Sequence, residues 1–128
     1  MCDQTPRAVL ALATDPSAAR QARAFVRDHQ CGFHNGVALD DALLLVSEMV
    51  TNAVLHGGPP VSIAVECEGP SVEIRVRDGG ARMPMRRRGE LEDEHGRGLL
   101  LMSSVAQGWG VEQLDRGKEV WIRLGYRR

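Results

Sequence analysis

Residues 37–80 read VALDDALLLVSEMVTNAVLHGGPPVSIAVECEGPSVEIRVRDGG, and this stretch decides the fold. Over residues 37–55 the apolar positions Leu39, Ala42, Leu43, Val46, Met49, Val50 and Ala53 recur at three- and four-residue spacing, which predicts a long amphipathic helix. His56-Gly57-Gly58-Pro59-Pro60 must end it, because neither glycine nor proline favours continuation. Residues 60–66 (PVSIAVE) and 71–77 (SVEIRVR) then alternate apolar and polar side chains, turning through Gly69-Pro70. Period-two alternation on both sides of a short turn predicts an antiparallel hairpin.

Working outward, residues 7–13 read as a short strand containing Val9 and Leu10. Asp15 offers a helix cap and Pro16 the favoured first helical position. A first helix is expected over 16–30, burying Ala18, Ala22, Phe25 and Val26 and stopping near Gly32. Downstream, residues 78–94 lose all periodicity, with Gly79, Gly80 and Gly89, an Arg86-Arg87-Arg88 run and an acidic Glu92-Asp93-Glu94 run. A helix is expected after Gly96-Arg97-Gly98, carrying Leu99, Leu100, Met102 and Val105. Residues 108–114 and 119–124 form a closing hairpin, with Trp109 and Trp121 in its strands. The order β-α-α-β-β-loop-α-β-β predicts one domain over residues 1–128 with an α+β fold. Its architecture is a two-layer sandwich, a largely antiparallel mixed sheet covered on one face by about three helices.

Composition narrows the function. The 128 residues carry 16 Lys+Arg against 17 Asp+Glu, a net charge of −1 that gives no general electrostatic case for nucleic-acid binding. No apolar run approaches the roughly 18 residues of a membrane helix, and no signal-peptide pattern opens the chain. Cys2, Cys31 and Cys67 are odd in number and form no CxxC pair, so neither a disulfide framework nor a zinc site is expected, and a reducing cytoplasm fits. Fifteen of the basic residues are Arg and one, Lys118, is Lys. Gly117-Lys118 is followed by Glu119 without the upstream glycine spacing, so there is no GxxxxGK[ST] phosphate loop, and the VAIK lysine of protein kinases is absent too.

Three segments concentrate polar chemistry. In SEMVTNAVLHG (47–57), Glu48, Asn52 and His56 stand at i, i+4 and i+8 on one helical face. Such a stripe either lines a cavity or is solvated. An Asn amide oxygen suits Mg²⁺, which keeps waters and takes its other ligands from phosphates. In RVRDGGARMP (75–84), Asp78 ends a strand before two glycines; it can accept a hydrogen bond from an exocyclic amine, or form a common Asp-Gly turn. In EHGRGLLLM (94–102), glycines open a helix, which suits phosphate but also an ordinary cap.

Taken together, the order and separations of these segments resemble the N box and two glycine boxes of the GHKL ATPase superfamily. The words SEMVTNAVLHG, VRDGG and HGRGLLLM are similar to those of stand-alone bacterial anti-sigma factor serine/threonine kinases of the actinomycete type. The resemblance implies a Bergerat ATP-binding fold with an ATP lid over about residues 81–95. It implies that Asn52 coordinates Mg²⁺, that Asp78 holds the adenine amine, that Gly80 gives the ring room, and that Met83 packs near the base. Gly96, Arg97, Gly98 and Leu99 would wrap the phosphates, and Glu48 would be the catalytic base toward a serine or threonine hydroxyl. Expected partners are ATP, an anti-anti-sigma factor as phosphoacceptor, a sigma factor and a second copy in a homodimer, with neither nucleic acid nor membrane contacted directly.

The sequence departs from that pattern twice. Arg82 replaces the later glycine of DxGxG. Gly117-Lys118-Glu119-Val120 carries Glu where the family commonly has Thr. Glu119 would either stand near Asp78 and repel it or turn to the other face of its strand. Two functions are therefore expected to compete: an ATP-dependent protein kinase of a sigma-factor switch, and a degenerate partner-binding module. A detached histidine-kinase ATPase domain fits less well, since no helical hairpin with a phosphoacceptor His precedes it in this sequence. Arg86-Arg87-Arg88, His29, His34 and the cysteines are expected to be surface residues or bystanders.

Overall fold

The computed structural model describes residues 5–29, 36–68, 71–80 and 106–125. Their elements run in the expected order: β1 (Thr5–Leu12), α1 (Ala18–His29), α2 (Gly36–His56), β2 (Val61–Glu68), β3 (Ser71–Asp78), β4 (Gly108–Gln113) and β5 (Lys118–Gly125). The five strands form one sheet in the order β1-β2-β3-β5-β4, and every pairing is antiparallel. The expected third helix and the lid lie outside the described residues.

Local sequence accounts for each boundary. Asp15 accepts hydrogen bonds from the Ser17 backbone amide and hydroxyl, capping the turn that leads into α1. Those bonds hold the Asp15 carboxyl below its usual range, against a weak opposing effect of desolvation. Helix α1 buries Ala18, Ala22, Phe25 and Val26, the four positions its spacing picks out. It packs over β1 and β2, while α2 lies over β3 and β5. The two helices are joined across their interface by Arg23, whose Nη1 donates to Ser47 Oγ at 3.0 Å.

The core lies between this helical layer and the sheet. From α2 it takes Ala42, Leu43, Leu45, Val46, Met49, Val50 and Ala53; from the sheet it takes Val61, Ile63, Val65, Val72, Ile74, Val76, Ile122 and Leu124. Each fully buried Leu, Ile or Val removes enough apolar surface to contribute about 1.5–3 kcal/mol before entropy is counted. Leu39 is only partly buried, and Leu45, which helical spacing alone did not single out, is fully enclosed.

Antiparallel partners directly opposite one another share a face of the sheet. Val72↔Leu124, Ile74↔Ile122, Val76↔Val120 and Asp78↔Lys118 therefore face the helices, whereas Glu73↔Arg123, Arg75↔Trp121 and Arg77↔Glu119 face away. One sequence expectation fails here. Cys67, taken as a bystander thiol, is 1% exposed on β2 and is disulfide-bonded. Spacing along a chain does not reveal which cysteines a fold brings within bonding distance.

Candidate functional site

The alternation of β3 carries three aliphatic residues into the core and then, at its last position, a carboxylate. Asp78 is 3% exposed. Its surroundings are mostly backbone. Gly79 N–H donates to the Gly58 carbonyl at 2.9 Å, tying the end of β3 to the segment that follows α2. Gly80 N–H turns back to Asp78 Oδ1 at 3.1 Å. A side chain on Gly80 would put its first carbon 2.8 Å from the Gly57 carbonyl carbon, and one on Gly57 would run into the Asp78 carboxylate. Two glycines facing each other thus let the end of α2 close against the end of β3.

The opposite wall comes from the β4–β5 turn. Gly117 has φ +85°, a left-handed conformation that costs an L-residue about 1–2 kcal/mol. Its Cα lies so near the Asp78 carbonyl that a Cβ there would overlap it. This turn delivers Lys118 directly opposite Asp78, and Lys118 Nζ donates to Asp78 Oδ2 at 2.7 Å. The pair is well enclosed, with 15% of the lysine side chain and 4% of the carboxylate side chain exposed. A cleft of about 410 Å³ opens at this end of the sheet toward its outer side, lined by Ser62 and Arg77 with Gly79 and the 114–116 turn, and Asp78 also borders it.

Helix α2 brings the remaining candidates toward the same end. Gly57 N–H donates to the Ala53 carbonyl and completes the last turn. Asn52 and Glu48 lie back along the helix, one turn apart, and both are half-buried. Asp78 and Gly80 meet the end of α2 at Gly57 and Gly58, and Asn52 stands in the helical turn before that end. Met83, Gly96, Arg97, Gly98 and Leu99, together with Arg82 and the 81–95 lid, lie outside the described residues. Among the described residues no three His, Cys, Asp or Glu side chains converge to hold a metal. The donor that remains is the Asn52 amide, which fits an ion held largely by phosphate oxygens and water.

Glu119 takes the second of its two expected positions, on the outer face. Its carboxylate accepts Arg75 Nη1 at 2.9 Å and Arg77 Nη2 at 3.2 Å. Arg75 also meets Glu73 at 2.9 Å, and Glu73 accepts Arg123 Nη2 at 3.1 Å. The two flanking arginines lie over the Trp121 ring, 5.8 and 5.6 Å from its centroid. Burial works against the charge of Arg75, but its hydrogen bonds and charge pairing with Glu73 and Glu119 outweigh that and raise its pKa. Repulsion between Glu119 and Asp78 is thereby excluded as the consequence of the Thr-to-Glu departure.

Lys118 is the residue that sequence reasoning passed over. A signal for it existed: Val120, Ile122 and Leu124 are the apolar set of β5, and period-two alternation puts residue 118 on their face and 119 on the other.

The described residues thus form an antiparallel five-stranded sheet with helices on one face and a buried aspartate where the end of β3 meets the end of α2. Residues 12–124 match the histidine kinase-like ATPase domain family, and the chain belongs to it. No curated protein matches the chain.

Proposed function

We propose that the chain binds ATP with Mg²⁺ between the polar stripe of α2 and the end of β3, and that it serves as an anti-sigma factor with protein serine/threonine kinase activity. The observation that carries this reading is the buried Asp78 carboxylate at a strand end, which accepts from Gly80 N–H and Lys118 Nζ and packs against Gly57. A carboxylate so enclosed distinguishes ligands that donate to it from those that do not, which is what recognition of an exocyclic amine requires.

In this reading Asp78 accepts from the adenine amine, and the absence of a side chain at Gly80 leaves room for the ring. Asn52 supplies one oxygen to Mg²⁺, whose chemistry when bound is to neutralise phosphate charge. Met83 lies near the base, and Gly96, Arg97, Gly98 and Leu99 hold the phosphates below a lid over about residues 81–95. Glu48, one turn from Asn52, accepts the proton of a serine or threonine hydroxyl as that oxygen bonds to the γ-phosphorus and the bond to ADP breaks. Phosphoryl transfer rests mainly on positioning and charge neutralisation, so one base and one metal ligand suffice. The acceptor is an anti-anti-sigma factor, the protein sequestered is a sigma factor, and the working unit is a homodimer.

No helix among the described residues is long and apolar enough to cross a membrane. A sigma-factor switch of this kind acts in the cytoplasm.

One observation favours a second reading, a partner-binding module with weak or no nucleotide turnover: an ammonium already sits on the Asp78 carboxylate. Calorimetric titration with ATP and ADP, in Mg²⁺ and in EDTA, separates the two. The kinase reading expects metal-dependent ATP binding that disappears in Asn52→Ala, and phosphate transfer to an acceptor protein that disappears in Glu48→Ala. No heat at millimolar nucleotide leaves the binding module.

A further inference from the structure

We infer that Lys118 sets the base selectivity of this site by competing with the exocyclic amine of the purine for Asp78. The inference rests on the reading of Asp78 as the acceptor of that amine. Its geometry is direct. Asp78 has two oxygens; Oδ1 takes the Gly80 N–H, and Oδ2 takes Lys118 Nζ at 2.7 Å. An ammonium in that position is an N–H donor on the same atom a nucleobase amine would use, and a charged donor binds a carboxylate more strongly than a neutral one.

The choice of cation supports this role. The chain has fifteen arginines and a single lysine, and the cations of the outer ladder, Arg75, Arg77 and Arg123, are all arginines. A guanidinium fork locks to a carboxylate in one plane, while an ammonium is a point charge on a flexible four-carbon stem. The outer ladder therefore stays fixed, and the contact at Asp78 is one that a ligand can share or displace. Because Lys118 and Asp78 are direct cross-strand partners, the ammonium remains a neighbour of the carboxylate and returns when the base leaves. The expected result is a nucleotide site that binds through its phosphates and gains little from the 6-amino group.

The test compares ATP with purine riboside triphosphate, which carries hydrogen where adenine has its amine. Both are titrated calorimetrically into the full chain, as parent, Lys118→Met and Lys118→Gln. The parent is expected to prefer ATP by less than about threefold. In Lys118→Met the preference rises about tenfold, the loss of one charge-assisted competitor, and in Lys118→Gln it rises by less. A purely structural role would shift both affinities together and leave their ratio unchanged. That result overturns the inference, as does a parent that already prefers ATP tenfold, a measurement that needs no variant to fold. A ratio that falls in Lys118→Met overturns it too, since Lys118 would then assist the amine. If neither triphosphate binds the parent or either variant, the nucleotide reading itself has failed and this inference falls with it.

Discussion

Asp78 and Glu119 are the two buried charged residues among the described positions, one on each face of the β3–β5 pair. Glu119 stands in a ladder of arginines, with Trp121 beneath two of them, and both its oxygens meet guanidinium groups. Asp78 is walled by glycine backbone, and its second oxygen is met by one flexible ammonium. Two carboxylates of similar burial thus have opposite characters. The first is tied from several directions by rigid forks, which is how a sheet fixes its register. The second is held by one backbone amide and one flexible ammonium, the arrangement on which the proposed nucleotide site draws.

The sharpest test of that contrast is Asp78→Asn. Made in the Lys118→Met background, where the amine has no competitor, it should lower ATP affinity on the order of thirtyfold by calorimetry, while far-UV circular dichroism stays that of Lys118→Met. Retained affinity would take the base acceptor away from Asp78. Next in size is Gly117→Ala, which forces an L-residue into a left-handed conformation against the Asp78 carbonyl. It should cost about 2 kcal/mol in urea unfolding and weaken nucleotide binding as well, because the turn carries Lys118. Glu119→Gln should act in the reverse sense: a loss of about 1 kcal/mol, modest because Arg77 is half exposed, with ATP affinity unaltered. A change in ATP affinity there would mean that the two faces are coupled.

The smallest expected effect is at the cap of α1. The Asp15 carboxyl is lowered below 3.8 by its bonds to Ser17, so its stabilising contribution is present above the unfolded pKa and is lost as pH falls through the folded value. Thermal melts of Asp15→Ala and parent should differ slightly at pH 6 and converge when both are taken well below pH 3.8. A gap that persists in acid would mean that the carboxylate charge is not what stabilises this end of the helix.

Much of this arrangement was legible in the sequence, for identifiable reasons. Ala18, Ala22, Phe25 and Val26 fall on one helical stripe, and Val72, Ile74 and Val76 on one strand face, so burial follows from period alone. Asp78 was legible because it continues that strand face into a glycine pair. What local pattern did not disclose was a relation between strands: alternation puts residue 118 on the core face, but that it stands directly opposite Asp78 is set by the cross-strand register. Leu45 was missed because a helix lying over a sheet buries a broader stripe than the three-and-four pattern marks.

The isolation of Lys118 also has a practical side. As the one lysine of the sequence, it is the one side-chain primary amine available to acylating reagents. Amine coupling to a sensor surface, or dye labelling through succinimidyl esters, would place its side-chain adduct beside Asp78 and plug the recess under study. The same property makes isotopic methylation attractive, since a single lysine resonance would then report what happens at the carboxylate when a nucleotide arrives.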